Sequence, residues 1–94
     1  MHVTTEPLPN PEQLKALLEL VARALVEARN LASQEAPYHQ IEDLADAFHN
    51  IPLEVFGWGG WSRCKARNMI AGYAEKYGRE GYLVEFDRIF ESQS

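Results

Sequence analysis

The feature that most constrains this chain is the segment from Asn10 to about Ser33, whose apolar residues recur with the 3.6-residue period of an α-helix. Its start is marked by Asn10-Pro11-Glu12-Gln13: an asparagine suited to the N-cap, a proline at the first helical position and a glutamine at N3, the arrangement of a capping box. On a helical wheel Leu14, Leu18, Val21, Leu25, Ala28 and Ala32 form one apolar stripe, and Leu17, Leu20, Ala24 and Leu31 form a second beside it. Opposite them Lys15, Glu19, Arg23 and Glu27 follow at i, i+4 with alternating sign, the pattern of a solvated, salt-bridged face. An apolar sector this wide leaves two outcomes open: the helix lies between two neighbours, or it lends one stripe to another subunit. The first stripe reads as the core seam. Leu17, Leu20, Ala24 and Leu31 then read as surplus, and so as a candidate interface.

The rest of the chain reads as all-α, a small four-helix domain with a Gly/Trp loop between helices 2 and 3. Residues 1–9, with Pro7 and Pro9, read as a flexible N-terminal arm, and residues 10–94 as a single helical domain. After a connection from Ser33 to Pro37, a second helix is predicted from about Tyr38 to His49, with Ile41, Leu44, Ala45 and Phe48 facing inward. Its stop rests on His49 at the negative end of the helix dipole, Asn50 as a left-handed C′ residue, and Ile51 ahead of Pro52. Pro52 to Phe56 reads as a further short turn, and Gly57-Trp58-Gly59-Gly60 as the flexible loop. A third helix is predicted from Trp61 or Ser62 to Tyr77, with Ala66, Met69, Ile70, Tyr73, Ala74 and Tyr77 inside and Gly78 as its stop. Leu83, Val84, Phe86, Ile89 and Phe90 recur at helical spacing and give a fourth helix from Tyr82 to Glu91, with a strand as the alternative that the Tyr82-Leu83-Val84 start allows, and helices 1 and 3 are expected to supply most of the core.

Charge narrows the choice of partner. Fourteen acidic against nine basic residues leave a formal net charge of -5, which disfavours bulk electrostatic binding to a phosphate backbone, so no nucleic-acid partner is expected. Residues 1–61 hold nine Asp/Glu against three Lys/Arg, so the acidity belongs to the first two-thirds and suits solubility or a basic partner. No apolar run approaches the ~20 residues of a membrane span, and the first residues lack a basic n-region and an apolar h-region. Neither membrane insertion nor export is expected. Cys64, the lone cysteine, rules out an intrachain disulfide framework and a multi-cysteine zinc site, and a reducing cytoplasmic setting fits.

Three clusters carry candidate chemistry. Glu42, Asp46 and His49 stand at i, i+4 and i+7 on one edge of helix 2, with His39 and Asp43 alongside; such carboxylate and imidazole groups can converge on a divalent ion, Mg²⁺ or Mn²⁺. The bland reading is a solvated acidic stripe. Gly57 to Gly60 feeds a helix start followed by Arg63, Lys65 and Arg67, which can hold a phosphate or carboxylate, although no Walker A ending is present. Basic residues snorkelling around a core explain the same three cations. Trp58 and Trp61 are either anchors that pin the loop or contacts for a partner. Cys64 reads as an inert surface or interface thiol, and Tyr73 and Tyr77 as inward residues with hydroxyls at the rim.

Two resemblances attach to helix 2. Glu42-Asp43-Leu44-Ala45-Asp46-Ala47-Phe48-His49 resembles the second metal-binding helix of the all-α nucleotide pyrophosphatases, which implies a metal-dependent hydrolase of a phosphorylated small molecule with Glu42 and Asp46 as ligands. That family's earlier Glu-Glu-x-x-Glu group has no counterpart in helix 1, which offers Glu19 and Glu27 among Lys15 and Arg23. Leu44-Ala45-Asp46-Ala47-Phe48-His49-Asn50-Ile51-Pro52 is similar to a phrase of small bacterial helical proteins of uncharacterised function, and implies no activity. The leading expectation is a non-enzymatic, cofactor-free interaction protein, immunity- or adaptor-like, that binds a protein partner or pairs as a homodimer. The hydrolase is the alternative.

Overall fold

The computed structural model describes residues 7–57 and 60–91, and every regular element in them is helical. The helices are α1 (Pro11–Ser33), α2 (Tyr38–Val55), α3 (Arg63–Tyr77) and α4 (Glu80–Glu91). Trp58, Gly59 and most of the N-terminal arm lie outside the described residues. Among the described residues no helix is long and apolar enough to cross a membrane.

The ends of the helices follow local chemistry. Asn10 and Gln13 close the capping box in both directions, at 2.8 and 2.9 Å. Ser62 caps α3 by accepting from the Lys65 amide, and Gly78 ends it at φ 68°, where Arg79 N–H donates to the Ala74 carbonyl. The α1–α2 connection turns through Glu35, a non-glycine residue at φ 56°.

The predicted stop of helix 2 at Asn50 is not where the chain stops. The helix continues through Pro52 to Val55, and the short turn expected over Pro52 to Phe56 is absorbed into it. An internal proline costs about 3 kcal/mol because it removes one backbone hydrogen bond. Ile51 and Val55, one turn apart and both buried, gain roughly 1.5–3 kcal/mol each by staying on the helical face, which outweighs the penalty. Asn50 is helical instead of left-handed, and its side-chain amide donates to Met69 Sδ on α3. α4 begins at Glu80, one half-turn earlier than predicted.

Each helix packs on the next in order, and α4 returns to α1, so the four occupy the corners of a square with α1 diagonal to α3. Cross-links fix the directions. Asp43 reaches Tyr77 while Glu54 reaches Lys65, so α2 and α3 are antiparallel; Arg67 meets Asp87 while Tyr73 meets Tyr82, so α3 and α4 are too. One end of the bundle therefore gathers the C-termini of α1 and α3 with the N-termini of α2 and α4. α2 contributes five apolar core residues (Leu44, Ala47, Phe48, Ile51, Val55) against four each from α1 and α3, which corrects the expectation that helices 1 and 3 dominate. Ala47, not Ala45, is the buried alanine of α2, and Val84 of α4 faces outward.

Candidate interaction face

Two polar clusters set how the helices are rotated. Glu27 of α1 accepts from Tyr73 (2.8 Å) on α3 and Tyr82 (2.5 Å) on α4, and its Oε2 also faces Arg79 Nε at 3.3 Å. Burial and the Glu27 carboxylate raise Tyr82 well above the ordinary tyrosine range. Asp43 of α2 accepts from Tyr77 (2.6 Å) and Lys76 (3.0 Å), and these bonds hold its carboxyl below the ordinary aspartate range. The hydroxyls of Tyr73 and Tyr77 thus sit at the rim, as their spacing suggests.

Tying Glu27 to α3 and α4 turns α1 by a stripe. Leu17, Leu20, Ala24 and Leu31, expected as the interface, are buried in the chain's own core. The stripe read as core faces the α2 flank and solvent: Leu14, Leu18, Val21 and Ala28 are half-buried, Ala32 is exposed and Leu25 is 67% exposed. The periodicity was right about two stripes and silent on which one turns inward, because the deciding contact is Glu27, which the alternating-charge pattern places on a solvated face. Arg23 of that face likewise leans on α4, with its guanidinium 4.0 Å from Glu85.

The outward stripe has the 4-3-4-3-4 spacing of a coiled-coil seam from Leu14 to Ala32. Beside it a groove of about 110 Å³ opens between α1 and α2, lined by Val21, Ala24, Leu25, Ala28, Leu44, Ala45, Phe48 and His49. This is smaller than the ~150 Å³ cavities that admit a benzene ring, and so of a size for one aliphatic side chain.

The other predicted sites are not assembled. Glu42, Asp46 and His49 are all exposed, His49 Nδ1 lies 3.1 Å from the Asp46 carbonyl, and among the described residues no three His, Cys, Asp or Glu side chains are grouped to hold a metal ion. A single amphipathic helix supplies one side of a cage only, and the neighbouring helix α3 presents Lys76 and Tyr77, which bind Asp43. The three cations expected to bind an anion have partners within the chain. Arg63 lies over the Phe90 ring at 4.5 Å, Lys65 pairs with Glu54 at 3.0 Å, and Arg67 forms a two-pronged bond with Asp87 at 2.7 and 2.9 Å. Ser62, moreover, takes up the Lys65 amide at that helix start. Trp61 is 3% exposed and stacks near Phe90, so it anchors the loop instead of meeting a partner; Trp58 lies outside the described residues. Cys64 is exposed, with Asn68 donating toward its sulfur.

No protein-family model, no curated protein and no solved structure matches the chain. The case for a function therefore rests on its surface.

Proposed function

We propose that this chain is a protein-interaction domain whose contact surface is the outer seam of α1 with the adjoining α1–α2 groove. The observation that carries this reading is Leu25, a leucine left 67% exposed in the middle of a heptad-spaced stripe and beside an apolar groove. Single exposed leucines are ordinary, but one in register with Leu14, Leu18, Val21, Ala28 and Ala32 belongs to a continuous apolar surface of the kind that marks a contact site. The groove adds a receptor for a knob from the partner. The same arrangement favours an adaptor-like role over hydrolysis, since the ionisable groups that chemistry would need are dispersed or bound to each other.

Photo-crosslinking tests it. A photo-activatable residue at position 25 of the full chain, produced in cells, is expected to give a covalent protein adduct, whereas one at exposed position 75 on the diagonally opposite helix α3 gives none. Equal yields at both positions, or no adduct at 25, would remove the contact surface.

A further inference from the structure

We infer that the occupant of this face is a second copy of the chain, paired about a two-fold axis running along the α1–α2 groove, so that α1 of each protomer lies on α2 of the other. This rests on the interaction reading above and names its partner. Charges border the seam on both sides. Six of the nine Lys/Arg side chains make ion pairs within the chain, and Arg63 packs over Phe90. Among the described residues Lys15 and Arg29 make none, and both are exposed on the outer flank of α1 beside Leu18 and Leu25. Across the groove, on α2, the exposed Glu42 also makes no ion pair among the described residues, while Asp46 lies on the α3 side of the helix beside Met69 and Lys76. Near the α1–α2 connection the face thus runs from Arg29, through the apolar strip, to Glu42.

Such a face is complementary to itself under a half-turn about the groove. A half-turn about an axis along the groove exchanges left for right and keeps the height along the bundle. Because α1 and α2 are antiparallel and joined by the short connection at 34–37, Arg29 and Glu42 stand equally far from that connection and hence at the same height. The rotation lays Arg29 against Glu42 of the partner subunit and brings Leu25 to the level of Ala45 of the partner subunit and Asp46 of the partner subunit. An axis across the groove would instead set α1 on α1 and bring Arg29 toward Lys15 of the partner subunit, a like-charge contact. The pairing is isologous, so each favourable contact occurs twice.

Sedimentation equilibrium of the full chain tests the pairing, with circular dichroism confirming that each variant is folded. The wild type is expected to dimerise. Arg29→Glu and Glu42→Arg should each weaken the dimer at least tenfold, and an equimolar mixture of the two should recover it as a heterodimer, because both inter-subunit contacts are then of opposite sign. A wild type that is monomeric at its highest soluble concentration overturns the inference, as does a mixture that fails to recover association. If the photo-adduct at position 25 has a mass other than twice that of the chain, the interaction face stands and the second copy does not. If Leu25→Glu dissociates the dimer while both charge reversals leave it intact, the face stands and this axis is wrong.

Discussion

Replacing Glu27 by alanine should be among the most damaging single changes in this protein, although the residue lies on a face whose charge pattern looks solvated. Its carboxylate ties α1 to α3 through Tyr73 and to α4 through Tyr82, and both phenols belong to the packed end of the bundle. A hydrogen bond to a charged group contributes roughly 1.5–3 kcal/mol, so two give an upper figure of about 3–6. The Glu27 side chain is 21% exposed, so water takes over part of that role, and the exposed Arg79 adds at most about 1 kcal/mol. A loss of about 2–4 kcal/mol is therefore expected, a large fraction of the ~5–14 kcal/mol typical of a domain this size. At roughly 4–8 °C per kcal/mol the midpoint should fall by about 10–30 °C. Urea unfolding measures the loss, and a cycle with Tyr73→Phe and Tyr82→Phe assigns it. In that background Glu27→Ala should cost about 1 kcal/mol or less. An unchanged cost in the tyrosine-free background, or a cost below about 0.5 kcal/mol in the wild type, would refute the tie as the element that sets the rotation of α1.

Three further outcomes follow from single sites. Gly72 sits inside α3 with nothing within 4 Å of where a Cβ would stand, so Gly72→Ala should raise stability by about 0.5–1 kcal/mol; destabilisation in chemical unfolding would mean that the space is filled. Glu54 is a buried carboxylate with one oxygen paired to the largely exposed Lys65 and the other without a hydrogen-bond partner among the described residues. Glu54→Met should consequently be neutral or stabilising, and a loss above about 2 kcal/mol would show that the carboxylate is a structural requirement. Acid and alkali should destabilise from opposite sides. Asp43 and Asp87 are held below the ordinary aspartate range by Tyr77 with Lys76 and by Arg67, so their stabilisation is complete above about pH 4 and lost as pH falls further. Tyr82 is raised by burial and Glu27, so its contribution persists below about pH 10 and is lost as the phenol ionises above it; midpoints flat across both limits would contradict these assignments.

Much of the fold was legible because it depends on local chemistry. The capping box at Asn10, the stop at Gly78 and the inward face of α3 each follow from residues within a turn or two of one another. What escaped sequence reasoning depended on distant partners. Pro52 reads as a helix stop until the burial of Ile51 and Val55 is weighed against it. Glu27 reads as a surface charge because Tyr73 and Tyr82 lie 46 and 55 positions away. Leu17, Leu20, Ala24 and Leu31 read as the outward stripe for the same reason, since the wheel shows two apolar stripes and no local signal ranks them. Arg63, Lys65 and Arg67 suggested an anion site from their clustering in sequence, while Phe90, Glu54 and Asp87, which engage them, come from two other helices.

The outward turn of the Leu25 stripe, and its use as a contact surface, is tested most directly by sedimentation velocity of wild type and Leu25→Glu over a wide concentration range. A surface substitution of this kind changes single-chain stability by about 0.5 kcal/mol or less, so the variant should keep the wild-type helical spectrum and, at dilutions where the wild type is also a single chain, its thermal midpoint. The expected result is a wild type whose sedimentation coefficient rises with concentration and a folded Leu25→Glu that stays at the single-chain value. A wild type that never associates, or a variant that unfolds or associates as the wild type does, would contradict it.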